Sequence, residues 1–349
     1  MKSKFATSLA APTTEAPDPT RTHYVENCEG RVHAMYGNLY ITDKYEGLII
    51  VGVATLLDGN PLNNFLKRDL TFNPDNILAG ANSITIIGTY AYITCDAGLV
   101  VVSLDDPKHP VVKAIVDETL LKHPRAVACQ FRYCYVADEE GVKVFDITQL
   151  DHPRAVSQLE IHDVHSIYVA RTYAYLAAGK MGLVILDIEH PENPKVDQIF
   201  NADGCINDLH DVKLAITYPS EFAYLADGHN GMRIVQLTSP ETHGFMGFSP
   251  RPEPKLIATF PIPHGGEALW VCRALDRDRA VDESGNQIGV FGRVGARALT
   301  LAEQQKMYLH NKKIWKVSNK ETDAIYEKRP WKELPKPDAG GPGPKLPPK

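Results

Sequence analysis

One short phrase recurs along this chain: an aromatic-x-Tyr-aliphatic segment, followed a few residues later by a glycine and a run of Leu, Val and Ile. Its four clearest copies centre on tyrosines that lie 43, 40 and 49 residues apart, namely Tyr92, Tyr135, Tyr175 and Tyr224. A degenerate first copy of the phrase surrounds Tyr40. A period in the forties with several short strands per unit is typical of the blades of a β-propeller. The repeat therefore predicts a ring of small antiparallel sheets.

The copy that begins at His165 shows how each unit is built. Apolar and other residues alternate in its first segment, which is typical of a strand with one face in the core. Gly182 lies in a hairpin that needs positive φ, and the prolines after Ile188 lack the backbone donor that would continue a sheet. The copy predicts four strands, at residues 165–170, 173–177, 183–188 and 195–200.

The whole chain is predicted to be all-β, a single β-propeller of four-stranded blades with short helical insertions. Six blades are favoured, and five remain the alternative. Clear repeats run from about 30 to 260, and a divergent last blade is expected over about 264–318, within a propeller that spans 28–330. Residues 1–27 are interpreted as a flexible lead without a clear cleavage pattern before Pro12, and 331–349 as a Pro/Gly-rich tail.

Composition excludes several classes of function. The net charge of −6 and the predicted pI of about 6.1 give no basic field for nucleic acid. No apolar run approaches the length of a membrane span. None of the sequence motifs of P-loop, Rossmann, zinc-protease or α/β-hydrolase sites is found, so the chain is predicted to lean away from being an enzyme.

The six cysteines lack the spacing of a haem or zinc site, so no cofactor is expected in this chain itself. There is no C-x-x-C-H motif for covalent haem attachment, and any haem would belong to a partner. Cys129 and Cys134 fall on neighbouring strands of one hairpin, where they either approach each other or serve as small buried strand residues.

Alignment of the copies on their tyrosines brings a set of polar residues to one position, at the start of the innermost strand. This position should line one mouth of the central channel, and the imidazoles there suit either a ligand or metal, or partner docking. The alternative is that these residues bind water and cap strand ends. The candidates that align directly are Asn82, Arg125 and His165, and His210 joins them if the extra residues at 218–221 are looped out. His264, and Arg31 or His33, occupy the comparable place in the end blades.

Two further groups of charged residues stand out in the sequence. Asp43, Asp138 and Asp227 begin short loops that are too irregular for calcium, so we expect them to accept hydrogen bonds from the hairpin backbone. The densest charged stretch is interpreted either as a solvated loop or as a partner-docking loop, and its leading residues are Asp276, Arg277, Asp278 and Arg279.

The third-strand pattern Gly-Leu-x-Ile-x-Asp-Ile, seen at Gly182 to Ile188 and followed by paired prolines, resembles the LVIVD-repeat β-propellers of bacteria and archaea. The resemblance covers roughly residues 30–260. It implies a cell-surface or periplasmic location in the cell envelope, and association with multihaem c-type cytochromes. On this basis the protein is interpreted as a non-catalytic scaffold or docking subunit of an electron-transfer complex. The alternative is an enzyme, or a propeller that binds a small ligand or metal at its polar channel mouth.

Overall fold

The computed structural model describes residues 2–12, 34–53, 66–217, 220–245 and 247–272, together with four two-residue strands between positions 293 and 314. Within these residues the chain forms five four-stranded antiparallel sheets. The prediction of an all-β propeller with four-stranded blades is therefore confirmed, and the five sheets agree roughly with the expected number of blades.

The blades, numbered in chain order, have the following strands. Blade 1 contains β1 (Ala6–Ala10), β2 (Asn38–Asp43), β3 (Gly47–Gly52) and β4 (Lys67–Phe72). Blade 2 contains β5 (Ser83–Ile87), β6 (Tyr90–Cys95), β7 (Gly98–Ser103) and β8 (Val111–Val116). Blade 3 contains β9 (Ala126–Gln130), β10 (Tyr133–Ala137), β11 (Gly141–Asp146) and β12 (Arg154–Glu160).

Blade 4 contains β13 (Ser166–Ala170), β14 (Tyr173–Ala177), β15 (Leu183–Asp187) and β16 (Lys195–Phe200). Blade 5 contains β17 (Asp211–Thr217), β18 (Ser220–Ala226), β19 (Met232–Thr238) and β20 (Lys255–Phe260). Two further hairpins pair β21 (Arg293–Val294) with β22 (Arg297–Ala298) and β23 (Leu309–His310) with β24 (Lys313–Ile314). Short 3-10 segments lie at Ala34–Gly37, Pro74–Asn76 and Pro263–Gly265.

The first strand of each blade faces the central axis. Within every blade the strands pair in chain order, and the first strands β1, β5, β9, β13 and β17 lie beside one another in succession. Because these innermost strands follow one another around the axis in equivalent positions, the residues that begin them share one end of the channel. We call this end the mouth.

The core lies between successive blades, and the repeated tyrosines mark it. Four of them are buried, each within a cluster shared by its own blade and the next: Tyr40, Tyr92, Tyr135 and Tyr175. The Tyr92 hydroxyl also donates a hydrogen bond to the carbonyl of Leu150, 2.5 Å away in blade 3. Tyr224, in the last of the five blades, is only half-buried. The repeated tyrosine therefore forms the same kind of contact between neighbouring blades each time it occurs in the chain.

The N-terminal segment corrects one expectation. Residues 6–10, which we had placed in the flexible lead, form β1 and complete blade 1 by pairing with β2. The segment is held because the Phe5 amide donates to Asp43 Oδ2 at 2.7 Å, and because Thr7 Oγ1 donates to the Ala81 carbonyl of blade 2 at 2.8 Å. Residues 13–27 of the expected lead lie outside the described residues, as do the tail and most of the expected last blade after residue 272.

Candidate functional site

The predicted channel-mouth residues of blades 2–5 occupy equivalent places. Each lies immediately before the innermost strand. Its backbone N–H donates to the backbone carbonyl of a residue at the end of the second strand of the same blade, or one residue before that end. These bonds, 2.8–2.9 Å long, join Asn82 to Thr94, Arg125 to Ala137, His165 to Ala177 and His210 to Ala226. We call this the rim position. The residue before it is buried in every case, which fixes the direction in which the chain enters the strand.

The same geometry identifies the rim position after blade 5 and corrects one assignment. An isolated bridge joins Gly179 to Leu209, the residue before His210, and an equivalent bridge joins Gly228 to Ala268. The rim position after blade 5 is therefore Leu269. His264 lies earlier, exposed in the 3-10 segment, so the expectation that it shares the rim position is corrected.

A second contact supports this register. The Val271 amide donates to Asp211 Oδ2 of blade 5 at 3.1 Å. In the same way, the Val127 amide of blade 3 donates to Ser83 Oγ of the preceding blade at 3.3 Å. Val127 and Val271 each lie two residues after a rim position. In blade 1, Arg31 and His33 lie outside the described residues, and the innermost strand there is β1.

Two histidine–aspartate pairs form the centre of the mouth. His165 Nε2 lies 2.9 Å from Asp163 Oδ1, and His210 Nε2 lies 3.1 Å from Asp208 Oδ1. The two imidazoles lie side by side, with ring centroids 5.1 Å apart and planes tilted by 51°. Each aspartate precedes its histidine by two residues, with a buried aliphatic residue between them. This Asp-aliphatic-His pattern could have revealed the aspartates, which the sequence analysis missed.

Polar contacts extend this centre on both sides. Arg125 Nη1 lies 3.5 Å from Asp163 Oδ1, and the His229 amide donates to Asp208 Oδ2 at 3.1 Å. His229 Nε2 in turn lies 3.4 Å from Glu267 Oε1. A polar network therefore follows the mouth from blade 3 to the residues after blade 5.

Electrostatic effects favour neutral His165 and ionised Asp208. Burial lowers the pKa of His165, and the neighbouring His210 and Arg125 lower it further, against the opposing influence of Asp163. The His229 amide and the nearby His210 lower the pKa of Asp208, although burial opposes them. At neutral pH the centre therefore combines the Asp208 carboxylate with the uncharged imidazole of His165.

Asn82, although it occupies a rim position, is engaged in joining blades. Its Nδ2 donates to the Pro124 carbonyl at 2.8 Å, and its Oδ1 accepts from Thr94 Oγ1 at 2.5 Å. Both ends of the amide therefore have partners within the protein. Asn82 behaves as the capping alternative predicted, whereas Arg125, His165 and His210 lie together with partly exposed side chains.

An apolar edge borders the polar network. Leu269 and Trp270 are exposed, and Trp270 has 61% of its surface accessible. Lys213 Nζ lies 5.8 Å from the centroid of the Trp270 ring and 2.7 Å from Asp211 Oδ1. The mouth surface, defined as Arg125, Asp163, His165, Asp208, His210, His229, Glu267, Leu269 and Trp270, thus combines charges, imidazoles and an indole. The predicted docking residues Asp276, Arg277, Asp278 and Arg279 lie outside the described residues.

The three loop aspartates are buried hydrogen-bond acceptors. Asp43 Oδ1 accepts from the amides of Tyr45 and Glu46, both at 2.9 Å, as the predicted hairpin caps should. Asp138 does the same in blade 3. Asp227 differs, because its Oδ1 accepts from the amides of Asn207 and Asp208 at 3.2 and 2.9 Å. Asp227 therefore fixes the segment that carries Asp208 into the mouth surface.

Two physical tests bear on the class of site. Among the described residues, no group of three or more His, Cys, Asp or Glu side chains is arranged to hold a metal ion. Over the same part of the chain, no helix is long and apolar enough to cross a membrane.

Comparison with known proteins agrees with this architecture. The family model of the LVIVD repeat matches residues 80–118 and 162–201, which contain blades 2 and 4. The chain is therefore a β-propeller that carries LVIVD repeats, as its third-strand pattern had suggested. No curated protein matches the chain.

The similarity of this chain to solved structures supports its fold and nothing further. The periplasmic gluconolactonase PpgL of Pseudomonas aeruginosa is 11% identical, with a TM-score of 0.50 over 68% of this chain and 70% of that one. A functionally unknown protein of Desulfotomaculum acetoxidans is 10% identical, with a TM-score of 0.50 over 76% of this chain and 72% of that one. At these identities the similarity carries no information on activity.

Proposed function

We propose that this protein is a non-catalytic propeller scaffold that docks a protein partner at its mouth surface. The observation that carries the proposal is the exposed indole of Trp270, which follows the rim position at Leu269 and lies 5.8 Å from Lys213 Nζ of blade 5. Exposed tryptophan bordered by partly buried charges is typical of the energetic centre of a protein interface. Carboxylates at Asp163, Asp208 and Glu267 favour a partner surface that is cationic around an apolar pocket.

The partner class proposed is a multihaem c-type cytochrome, within an electron-transfer complex of the cell envelope. This part of the proposal is supported by the resemblance to LVIVD-repeat propellers alone. A scaffold of this kind needs no cofactor of its own, because the haem would be carried by the cytochrome. The propeller would supply a rigid face that holds the cytochrome in place.

The test is a gentle affinity purification of the tagged full-length protein from the native cell envelope. The eluate is analysed by mass spectrometry and by haem absorbance together. A c-type cytochrome in stoichiometric amount is the expected result. A stoichiometric partner without haem would retain the docking proposal and reject the cytochrome. Recovery of the propeller alone would contradict both.

A second candidate function is binding of a small ligand or metal ion at the same mouth. The 5.1 Å approach of the His165 and His210 rings favours it, because two imidazoles on neighbouring rigid strands could turn toward one bound species. Titration of the purified protein with Zn²⁺ or Ni²⁺, followed by calorimetry, tests this function. Saturable binding that disappears in the His165→Ala/His210→Ala variant would support it, and the same weak binding by both proteins would exclude it.

A further inference from the structure

Two cysteines of blade 3 face each other across a tight hairpin. Cys129 on β9 and Cys134 on β10 are direct partners in the antiparallel register. The hairpin turns through the two residues Phe131 and Arg132, so its closing pair is Gln130 and Tyr133. Cys129 and Cys134 form the next pair along the ladder.

The hairpin geometry determines what kind of pair this is. The closing pair of a two-residue hairpin is hydrogen-bonded, and hydrogen-bonded and non-hydrogen-bonded pairs alternate along an antiparallel ladder. Cys129 and Cys134 are therefore a non-hydrogen-bonded pair, the class in which Cα atoms approach to about 4.5 Å. Disulfides need Cα separations of about 4.4–6.8 Å, so the backbone need not rearrange to join them.

The side chains already meet. Because residues directly opposite each other in an antiparallel ladder point to the same face of the sheet, the two side chains lie side by side. Cys134 is fully buried in the cluster between blades 2 and 3, whereas Cys129 is partly exposed. Of the two residues, Cys129 is therefore the one closer to solvent.

We propose that Cys129 and Cys134 are a redox modification site that closes to a cross-strand disulfide by exchange with a small-molecule disulfide such as oxidised glutathione. The Cys129 thiolate attacks one sulfur of the oxidant, forms a mixed disulfide and releases one glutathione thiolate. The Cys134 thiolate then attacks the Cys129 sulfur and releases the second glutathione. Two protein thiols lose two electrons and two protons, and one disulfide is reduced to two thiols.

The rate should depend on pH in a defined direction. Burial and the neighbouring Cys134 raise the pKa of the Cys129 thiol well above its ordinary value. Because the thiolate is the attacking species, exchange should be slow near neutrality and accelerate on the alkaline side. The pair should therefore oxidise during prolonged contact with a disulfide oxidant, and it should stay reduced when that contact is brief.

The experiment uses the folded full-length protein, incubated with oxidised glutathione at about pH 8.5 and then alkylated. Trypsin cleaves after Arg125, Arg132 and Lys143, so the two cysteines fall on separate peptides, 126–132 and 133–143. These peptides stay joined without reductant only if the disulfide has formed. The expected result is that most of both peptides is recovered as the joined species, and that reductant separates it.

Variants separate the two steps. Cys134→Ser should stop at a glutathione adduct on Cys129, and Cys95→Ser should leave the joined peptide unchanged, because Cys95 faces Gly98 across its own strand pair. Recovery of both wild-type peptides in alkylated form, or of Cys129 joined to a different cysteine, would overturn the proposal. Since this outcome is measured on the wild-type chain, a failure of the variants to fold does not affect it.

Discussion

His165 and His210 immediately precede the innermost strands of two neighbouring blades, and their ring centroids lie 5.1 Å apart while each ring pairs with its own aspartate. Because both side chains are partly exposed at the mouth, they contribute little to the core. The His165→Ala/His210→Ala variant should therefore lose less than about 3 kcal/mol of unfolding free energy. Urea unfolding measures this, and a larger loss would show that the histidines hold the blades together.

The pH dependence of stability should reveal His165. Its pKa is lowered in the folded state, chiefly by burial, so the unfolded chain binds this proton more readily. Stability from the neutral imidazole is therefore fully present above about pH 6.5 and is lost as the pH falls below that value and through the lower pKa of the folded state. A His165→Gln variant should show a shallower decline below about pH 6.5 than the wild-type protein. His109→Gln, at an exposed histidine of an outer turn, is the matched control, and equal slopes for wild type and His165→Gln would contradict the prediction.

Asp43 should make the N-terminal strand sensitive to acid. Burial alone would raise its pKa, but hydrogen bonds from Ser3, Phe5, Tyr45 and Glu46 prevail and lower it to about 2. The carboxylate therefore contributes stability that is complete above the unfolded value of 3.8 and is lost as the pH falls toward about 2. Asp43→Asn should cost about 1–2 kcal/mol at neutral pH and flatten the acid side of the stability curve. An unchanged acid profile would mean that this carboxylate does not hold β1.

Gly182 tests the hairpin that the repeat predicted. Its φ is +79°, and an added Cβ would lie 2.7 Å from the Phe200 carbonyl oxygen. Gly182→Val should therefore cost more than about 3 kcal/mol, because conformational strain and a clash with rigid backbone add together. Gly204 has a similar φ of +85° with nothing within 4 Å, so Gly204→Val should cost only about 1–3 kcal/mol. Equal losses on thermal unfolding would show that the clash is absent.

The sequence repeat predicted the strands and turns that depend only on residues within a single blade. Blade 4 has strands where the copy from His165 placed them, within one or two residues, because apolar alternation and turn residues are local signals. β1 was missed because its pairing partner β2 begins at Asn38, much farther along the chain from Ala10 than a short hairpin would place it. Pairing over such a distance leaves no local pattern in the sequence.

The mouth surface was only partly predictable for a similar reason. Alignment on the tyrosines found Arg125 and His165, which each lie ten residues before the tyrosine of their blade, and it found His210 once the extra residues before Tyr224 were looped out. The same alignment misplaced His264, because it followed the residue type instead of the buried residue that precedes the rim. In the segment Glu267-Ala268-Leu269, the acidic Glu267 corresponds to Asp208 and the buried Ala268 corresponds to Leu209. Only the bridge between Ala268 and Gly228 in the structure reveals this correspondence.

The central claim is that the mouth surface docks a partner, and one comparison tests it most directly. Phe131 is an aromatic residue that is even more exposed than Trp270, but it lies in the turn after β9, at the opposite end of the channel from the rim. Trp270→Ala and Phe131→Ala variants are tagged and purified in parallel from the native envelope, and the amount of co-purified partner is measured against wild type. Loss of most of the partner with Trp270→Ala, and near wild-type recovery with Phe131→Ala, is the predicted result. Unchanged recovery with Trp270→Ala, or an equal loss with both variants, would contradict docking at the mouth.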